Sequence, residues 1–219
     1  RMALVAPSHA EVSLIRPGLL AGTEPTCFSK PEGTPAVLCS EGFRPGAGVD
    51  RLLQAARILL DRKREFLMFL TGTGPIESDL RRQAKALRLA STVIFARPTG
   101  DLERVVTGAD IYVEPSVDPT LSAGPIHAMA NGMAVIAVDG GAADCFVDGV
   151  TALVCPDNRA ERLADAIERI LDDRAFAVRL ATGAINHIRQ FHTISNMAEQ
   201  TVERYRSLLA RRRTYAMGS

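Results

Sequence analysis

Residues Ala109–Asp139 read ADIYVEPSVDPTLSAGPIHAMANGMAVIAVD, and this stretch decides the fold class. Ile111–Glu114 predicts a buried strand and Ala134–Val138 a second one. Between them lie a loop of Pro, Ser, Asp and Gly and a short helix opening near Gly124–Pro125. Strand, loop, helix, strand is one parallel crossover unit. The loop after the first strand then sits at the carboxyl end of the sheet, where open α/β sheets bind ligands. A helix starting just after Ser122, Ala123 and Gly124 points its unpaired amides and the positive end of its dipole out of the sheet. Pro125 suits the first turn, because its missing N–H would have been unpaired anyway. Phosphate is the natural guest of such a helix end, although a crossover loop that binds nothing fits the same pattern equally well.

Moving outward, regular alternation begins at residue 36. Ala36–Ser40 reads as a buried strand, Glu41–Gly48 as a Gly-rich turn, and Val49 to Arg62 as a helix with Val49, Leu52, Leu53, Ala56, Leu59 and Leu60 on one face. Phe66–Leu70 is the next strand. It runs into Thr71-Gly-Thr-Gly-Pro75 and a helix carrying Ile76, Leu80, Ala84 and Leu87. Thr92–Phe95 predicts a short strand and Leu102–Thr107 a helical turn. After Val138, Gly140–Gly141 precedes a short helix to about Val147, Asp148–Gly149 is a turn and Ala152–Val154 a last strand. Three helices follow, at Arg159–Leu171, Ala175–Phe191 and Asn196–Arg213. Strands that are apolar throughout, alternating with helices, predict a parallel sheet of about six strands covered on both faces. Residues 1–35, broken by repeated Pro and Gly, read as an irregular segment or linker. Residues 36–195 are the expected domain, and 196–219 a terminal helix and tail. The stripe of Ala198, Val202, Tyr205 and Leu209 on that helix is expected to pack on this domain or on a second one.

Composition narrows the function classes. The 219 residues are 47% hydrophobic with a formal net charge of +1, so no global field attracts nucleic acid or a membrane surface. Aromatics are 5% and Trp is absent, which argues against a base-stacking platform. No apolar run reaches the ~20 residues of a membrane span. Cys27, Cys39, Cys145 and Cys155 are widely spaced without a CxxC pair, so no metal is expected and a reducing cytoplasm is the expected compartment. Gly72-Thr-Gly74 lacks the third glycine of the dinucleotide fingerprint, and neither GxxxxGK[ST] nor GxSxG occurs. His187 and His192 read as surface or capping groups. No acid–base pair announces itself in the sequence.

Several motifs in order resemble the carboxyl-terminal, donor-binding domain of the retaining group 1 glycosyltransferases. That family has the GT-B architecture, in which two Rossmann-like domains face one another across a cleft. Gly72-Thr-Gly-Pro75 is similar to the family's GxGP step, and Ala109–Ser116 to its strand ending in Pro–Ser. Ala128–Ala137 is similar to its AMAxGxPVV run, and Gly140–Gly141 with Asp144, Asp148–Gly149 and Val154 to its next segment. Ile15-Arg-Pro-Gly18 looks like the linker before the domain. The resemblance implies a Rossmann-like doubly wound sheet, a nucleoside-diphosphate sugar as ligand and no cofactor. It also implies a partner domain for the acceptor that is missing here.

The departures fall on the chemistry. Where the family places two Glu residues this sequence has Pro119 and His127, and where it places the Arg and Lys that pair with the diphosphate it has Gly42 and Ala47. A charge-assisted hydrogen bond contributes about 1.5–3 kcal/mol. What remains as a nucleotide-sugar site is the run Thr120, Leu121, Ser122, Ala123 and Gly124 with its backbone amides, together with Arg44, Arg97 and His127. Asp118 is the one weak catalytic candidate. The sequence therefore points to a donor-binding domain of a glycosyltransferase, incomplete without its acceptor domain. The alternative is a degenerate, non-catalytic module on the same fold.

Overall fold

The computed structural model describes residues 33–96, 108–118, 122–140 and 145–217, with side chains to Leu209. Within them the strands are β1 (Ala36–Cys39), β2 (Leu67–Thr71), β3 (Val93–Ala96), β4 (Ile111–Glu114), β5 (Ala134–Val138) and β6 (Leu153–Cys155). The helices are α1 (Val49–Asp61), α2 (Glu77–Ala86), α3 (Ala123–Ala130), α4 (Ala160–Asp172), α5 (Arg174–Phe191) and α6 (Ile194–Met217). The strands form one sheet in the order β3-β2-β1-β4-β5-β6, every neighbouring pair parallel. β1, β4 and β5 are buried along their whole length, as expected of strands without polar alternation between two helical layers. The edge strand β3 leaves Ile94 exposed.

Helix α1 buries Val49, Leu52, Leu53, Ala55, Ala56 and Leu59 and packs against α4, whose buried face is Leu163, Ala164, Ile167 and Ile170. Ions fringe this seam: Arg62 reaches Asp165 at 2.8 Å and Glu168 at 2.7 Å, and Arg64 pairs with Asp172. Such exposed pairs contribute at most about 1 kcal/mol each; the apolar seam carries the packing.

The described residues fall into two compact units. One ends at Ile188 and holds the sheet; the other starts at Arg189 and holds the end of α5 and α6. On α6, Val202, Tyr205 and Leu209 of the expected stripe and Leu208 beside it are exposed, Tyr205 by 65%. His192, expected at the surface, is buried. The helix expected to run to Val147 is absent over Cys145–Val147, which lead into a turn. There Thr151 Oγ1 accepts a hydrogen bond from the Val147 amide and donates one to the Cys145 carbonyl, so side-chain capping replaces a helical ladder. None of the described helices is long and apolar enough to cross a membrane. The helical turn expected at Leu102–Thr107 lies outside the described residues.

The loops at the carboxyl end of the sheet meet backbone to backbone. Gly48, the N-cap of α1, has φ +79°, and a Cβ there would lie 2.3 Å from the carbonyl oxygen of Pro115. Gly46 has φ +85° but open space around it. Gly46→Ala is therefore expected to destabilise by about 1–2 kcal/mol, the cost of a left-handed non-glycine residue. Gly48→Ala should cost clearly more, because the loop after β4 must also move. Urea midpoints of the two variants measure the difference, and equal midpoints would mean that the Pro115 loop yields freely.

Candidate functional site

Strand order reverses between β1 and β4, and it is at such a reversal that doubly wound sheets open a crevice. β1 and β4 pair with Leu38 opposite Tyr112. One step further along, the two chains emerge at the crevice as Ser40–Glu41 and Glu114–Pro115. The buried Tyr112 hydroxyl lies 2.9 Å from Ser40 Oγ and donates to Glu114 Oε2 at 3.4 Å, so Ser40 is the donor to Tyr112. The N-terminus of α3 lies directly over this group, because a Cβ on Gly124 would come within 2.2 Å of Ser40 Oγ and 2.3 Å of the Tyr112 hydroxyl.

Glu114 and Glu41 are both buried, each 6% exposed, and their carboxyls are hydrogen-bonded to one another. Burial, then the charge of Glu41 and the hydrogen bond to it, push the Glu114 carboxyl up to about 9. Two carboxylates at this distance in a poorly solvated place cannot both ionise cheaply. Glu114 is therefore the protonated partner: it donates to Glu41 while accepting from Tyr112 and from the Ser116 amide. The negative end of this chain faces Arg44. Arg44 Nη2 stands 3.8 Å from Glu41 Oε2 and 3.2 Å from Asp118 Oδ2, which ties the loop after β1 to the loop after β4.

Of the residues singled out in the sequence, the structure brings Arg44 and Asp118 together as an ion pair. It places Ser122, Ala123 and Gly124 at the start of α3, with Ser122 as N-cap. The Ser122 oxygen is buried and makes no hydrogen bond, so it does not cap its own helix. His127 is half-buried on α3 and its carbonyl accepts from Asn131. Arg97, Pro119, Thr120 and Leu121 lie outside the described residues. The two positions that replace cations differ: a Cβ at Gly42 would meet nothing within 4 Å, whereas Ala47 is packed into the core at 1% exposure. The Gly72-Thr-Gly74 step has a packing role. A Cβ on Gly72 would fall 2.1 Å from the Glu41 carbonyl, and one on Gly74 2.2 Å from that of Phe43.

Sequence reasoning missed the Glu41–Glu114 pair. The signal available was a Glu closing an otherwise apolar strand, Ile-Tyr-Val-Glu, and a second one just beyond β1. Only the pairing of β1 with β4 makes them neighbours.

Comparison with known proteins places these features in a family context. The family described as "Glycosyl transferases group 1" matches residues 25–187. The D-inositol 3-phosphate glycosyltransferase of Nocardia farcinica is 30% identical over 216 residues, which are 94% of this chain and 47% of that protein. The alpha-D-kanosaminyltransferase of Streptomyces kanamyceticus is 27% identical over 80% of this chain and 46% of its own length. Among solved structures, sucrose-phosphate synthase of Thermosynechococcus elongatus superposes with a TM-score of 0.74 at 26% identity, covering 83% of this chain and 47% of that one. Anabaena HepE, solved with UDP-glucose, gives 0.74 at 20% identity over 80% of this chain and 49% of its own. The chain thus spans about half the length of the relatives it matches.

The buried acid has a consequence for stability. The unfolded chain releases the Glu114 proton near pH 4.5, while the folded protein keeps it to about pH 9. Native protein therefore loses stability as pH rises through that window, by at most about 1.4 kcal/mol per pH unit. Glu114→Gln cannot ionise and is expected to melt progressively higher than wild type from pH 5 to pH 9. Parallel melting curves across that range would show that the carboxyl ionises normally in the fold.

Proposed function

The chain belongs to the group 1 glycosyltransferases, and from that premise we propose that it is the donor half of such an enzyme, binding a nucleoside-diphosphate sugar in the crevice between β1 and β4. The observation that carries the reading is the meeting of three elements at the strand-order reversal: the start of α3, the loop bearing Arg44, and the loop bearing Asp118. HepE, which shares this fold, was solved with UDP-glucose in place.

In the proposed reaction the bond between the sugar's anomeric carbon and the diphosphate breaks, the acceptor hydroxyl oxygen forms the new bond with retention of configuration as its proton passes to the departing diphosphate or to water, and negative charge gathers on that diphosphate. Stabilising that charge is the main work asked of the protein. Amides from Thr120 to Gly124 and the dipole of α3 supply it without side chains. Arg44 adds the mobile cation. Its pairing with Asp118 is half-exposed, a contact weak enough to give way, and a diphosphate offers more negative charge and a planar match to the guanidinium fork. This reading assigns Arg97 to the base and His127 to the ribose. No metal or cofactor is required. The acceptor is held by the other half of the protein, so this chain alone does not turn over; a cytoplasmic setting fits a nucleotide-sugar donor.

A second reading, a non-catalytic module on the same fold, is favoured by one specific observation: the carboxyls of Glu41 and Asp118 stand where a diphosphate would need cations.

Thermal melting with UDP, GDP, ADP and their sugar conjugates separates the two. A ligand at a hundred times its dissociation constant stabilises by about 2.7 kcal/mol, a shift of roughly 5–10 °C for a domain of this size. A shift with one nucleotide supports the donor reading, and flat curves at millimolar ligand support the module. Where binding is seen, Arg44→Ala should weaken it by about ten- to a hundredfold, the loss of one charge-assisted hydrogen bond. An unchanged affinity would remove Arg44 from the site.

A further inference from the structure

The donor reading leaves the carboxyl pair on the crevice floor without a role, and its placement supplies one. Glu41 stands two residues beyond the end of β1 and Glu114 at the last position of β4, the two strands that frame the crevice. The hydrogen bonds there have one direction: Ser40 donates to Tyr112, Tyr112 to Glu114, Glu114 to Glu41, and Arg44 faces Glu41 and Asp118 from the other side. With one proton between them the two glutamates carry a single negative charge, which Arg44 opposes. Without it they carry two, on the floor of a crevice meant for a diphosphate.

We infer that Glu114 serves this site as a neutral acid: the proton it shares with Glu41 fixes the charge of the crevice floor, and a nucleoside-diphosphate sugar is admitted while that proton is in place. The inference rests on the donor reading above. Glu114 is a positioning residue in it; no contact with the sugar or the reacting bond is implied.

The surroundings make the effect separable. On β1 the group facing the pair is Cys39, and on β4 it is Tyr112; burial pushes both well above their ordinary values. The loop after β1 contributes Arg44 and the loop after β4 contributes Asp118. α3 meets the cluster through Gly124 and the loop after β2 through Gly72, neither of which titrates. The Glu114 carboxyl, pushed up to about 9, is thus the group of this cluster that changes charge between pH 8 and pH 10.

The test is a calorimetric titration of the full chain and of Glu114→Gln with UDP-glucose, GDP-glucose and ADP-glucose from pH 7.5 to pH 10. Wild-type affinity should fall by about tenfold or more across the upper part of that range, while the variant, whose amide still donates to Glu41, changes by less than about twofold relative to it. Any ionisation of the base affects both proteins and cancels in their ratio. Should the variant not fold, wild type at pH 9 titrated in two buffers of different ionisation heat reports the same event, because binding must then take up protons. Equal pH profiles for the two proteins, or no proton uptake at pH 9, would overturn the inference and leave the donor reading standing. Absence of binding by all three sugars at every pH would overturn the donor reading and this inference with it.

Discussion

Pairing of β1 with β4 sets two loops side by side, and the closeness of their approach governs everything specific to this crevice. Gly48 abuts the Pro115 carbonyl, Gly72 the Glu41 carbonyl, Gly74 the Phe43 carbonyl, and Gly124 the Ser40 and Tyr112 oxygens. Each contact is one that a Cβ would prevent. Together they hold the loops after β1, β2 and β4 and the first turn of α3 in one close arrangement.

Beside these backbone contacts lies a directed polar chain that ends in a pair of carboxyls. Burying two carboxyls within hydrogen-bonding distance is unfavourable, and the protein limits the cost by keeping one of them protonated and by surrounding it with Tyr112 and the Ser116 amide. A cost of this kind on the floor of a crevice, where apolar groups would be more stable, is where functional tuning is expected. Arg44 completes the arrangement from the solvent side and gives the site one cation that is not committed to the core.

Much of this was legible in the sequence. Unbroken apolar runs separated by helical periodicity dictate a parallel sheet with two covered faces, and the strand limits fall within about a residue of the observed ones. The start of α3 is visible because Pro125 suits a first helical turn, whereas the close approach that Gly124 permits is not local in the sequence. The Glu41–Glu114 and Arg44–Asp118 pairs were not legible as pairs, because each joins loops or strands distant in the chain and no local propensity registers the reversal of strand order. Cys145–Val147 was misread for the opposite reason: a short apolar run reads as helix, but Thr151 captures its backbone groups first. The stripe on α6 was read correctly as apolar, yet periodicity says nothing of what covers it.

The two lost cations are not equivalent, and the difference bears on whether this is an enzyme half or a remnant. Gly42 opens onto empty space, so a cation there could be restored or replaced by a neighbour such as Arg44 without disturbing anything. Ala47 is sealed into the cluster that holds α1 against the sheet, beside Val49 and Leu52. A lysine there would have to bury its stem in a packed core. The packing around Ala47 therefore closes that route to a cation, and a cation facing the crevice comes from the Gly42–Arg44 side of the loop. Close packing at Ala47, a hydrogen-bond chain from Ser40 to Glu41, and Arg44 two residues from the open Gly42 give this crevice a charge arrangement different from the family pattern.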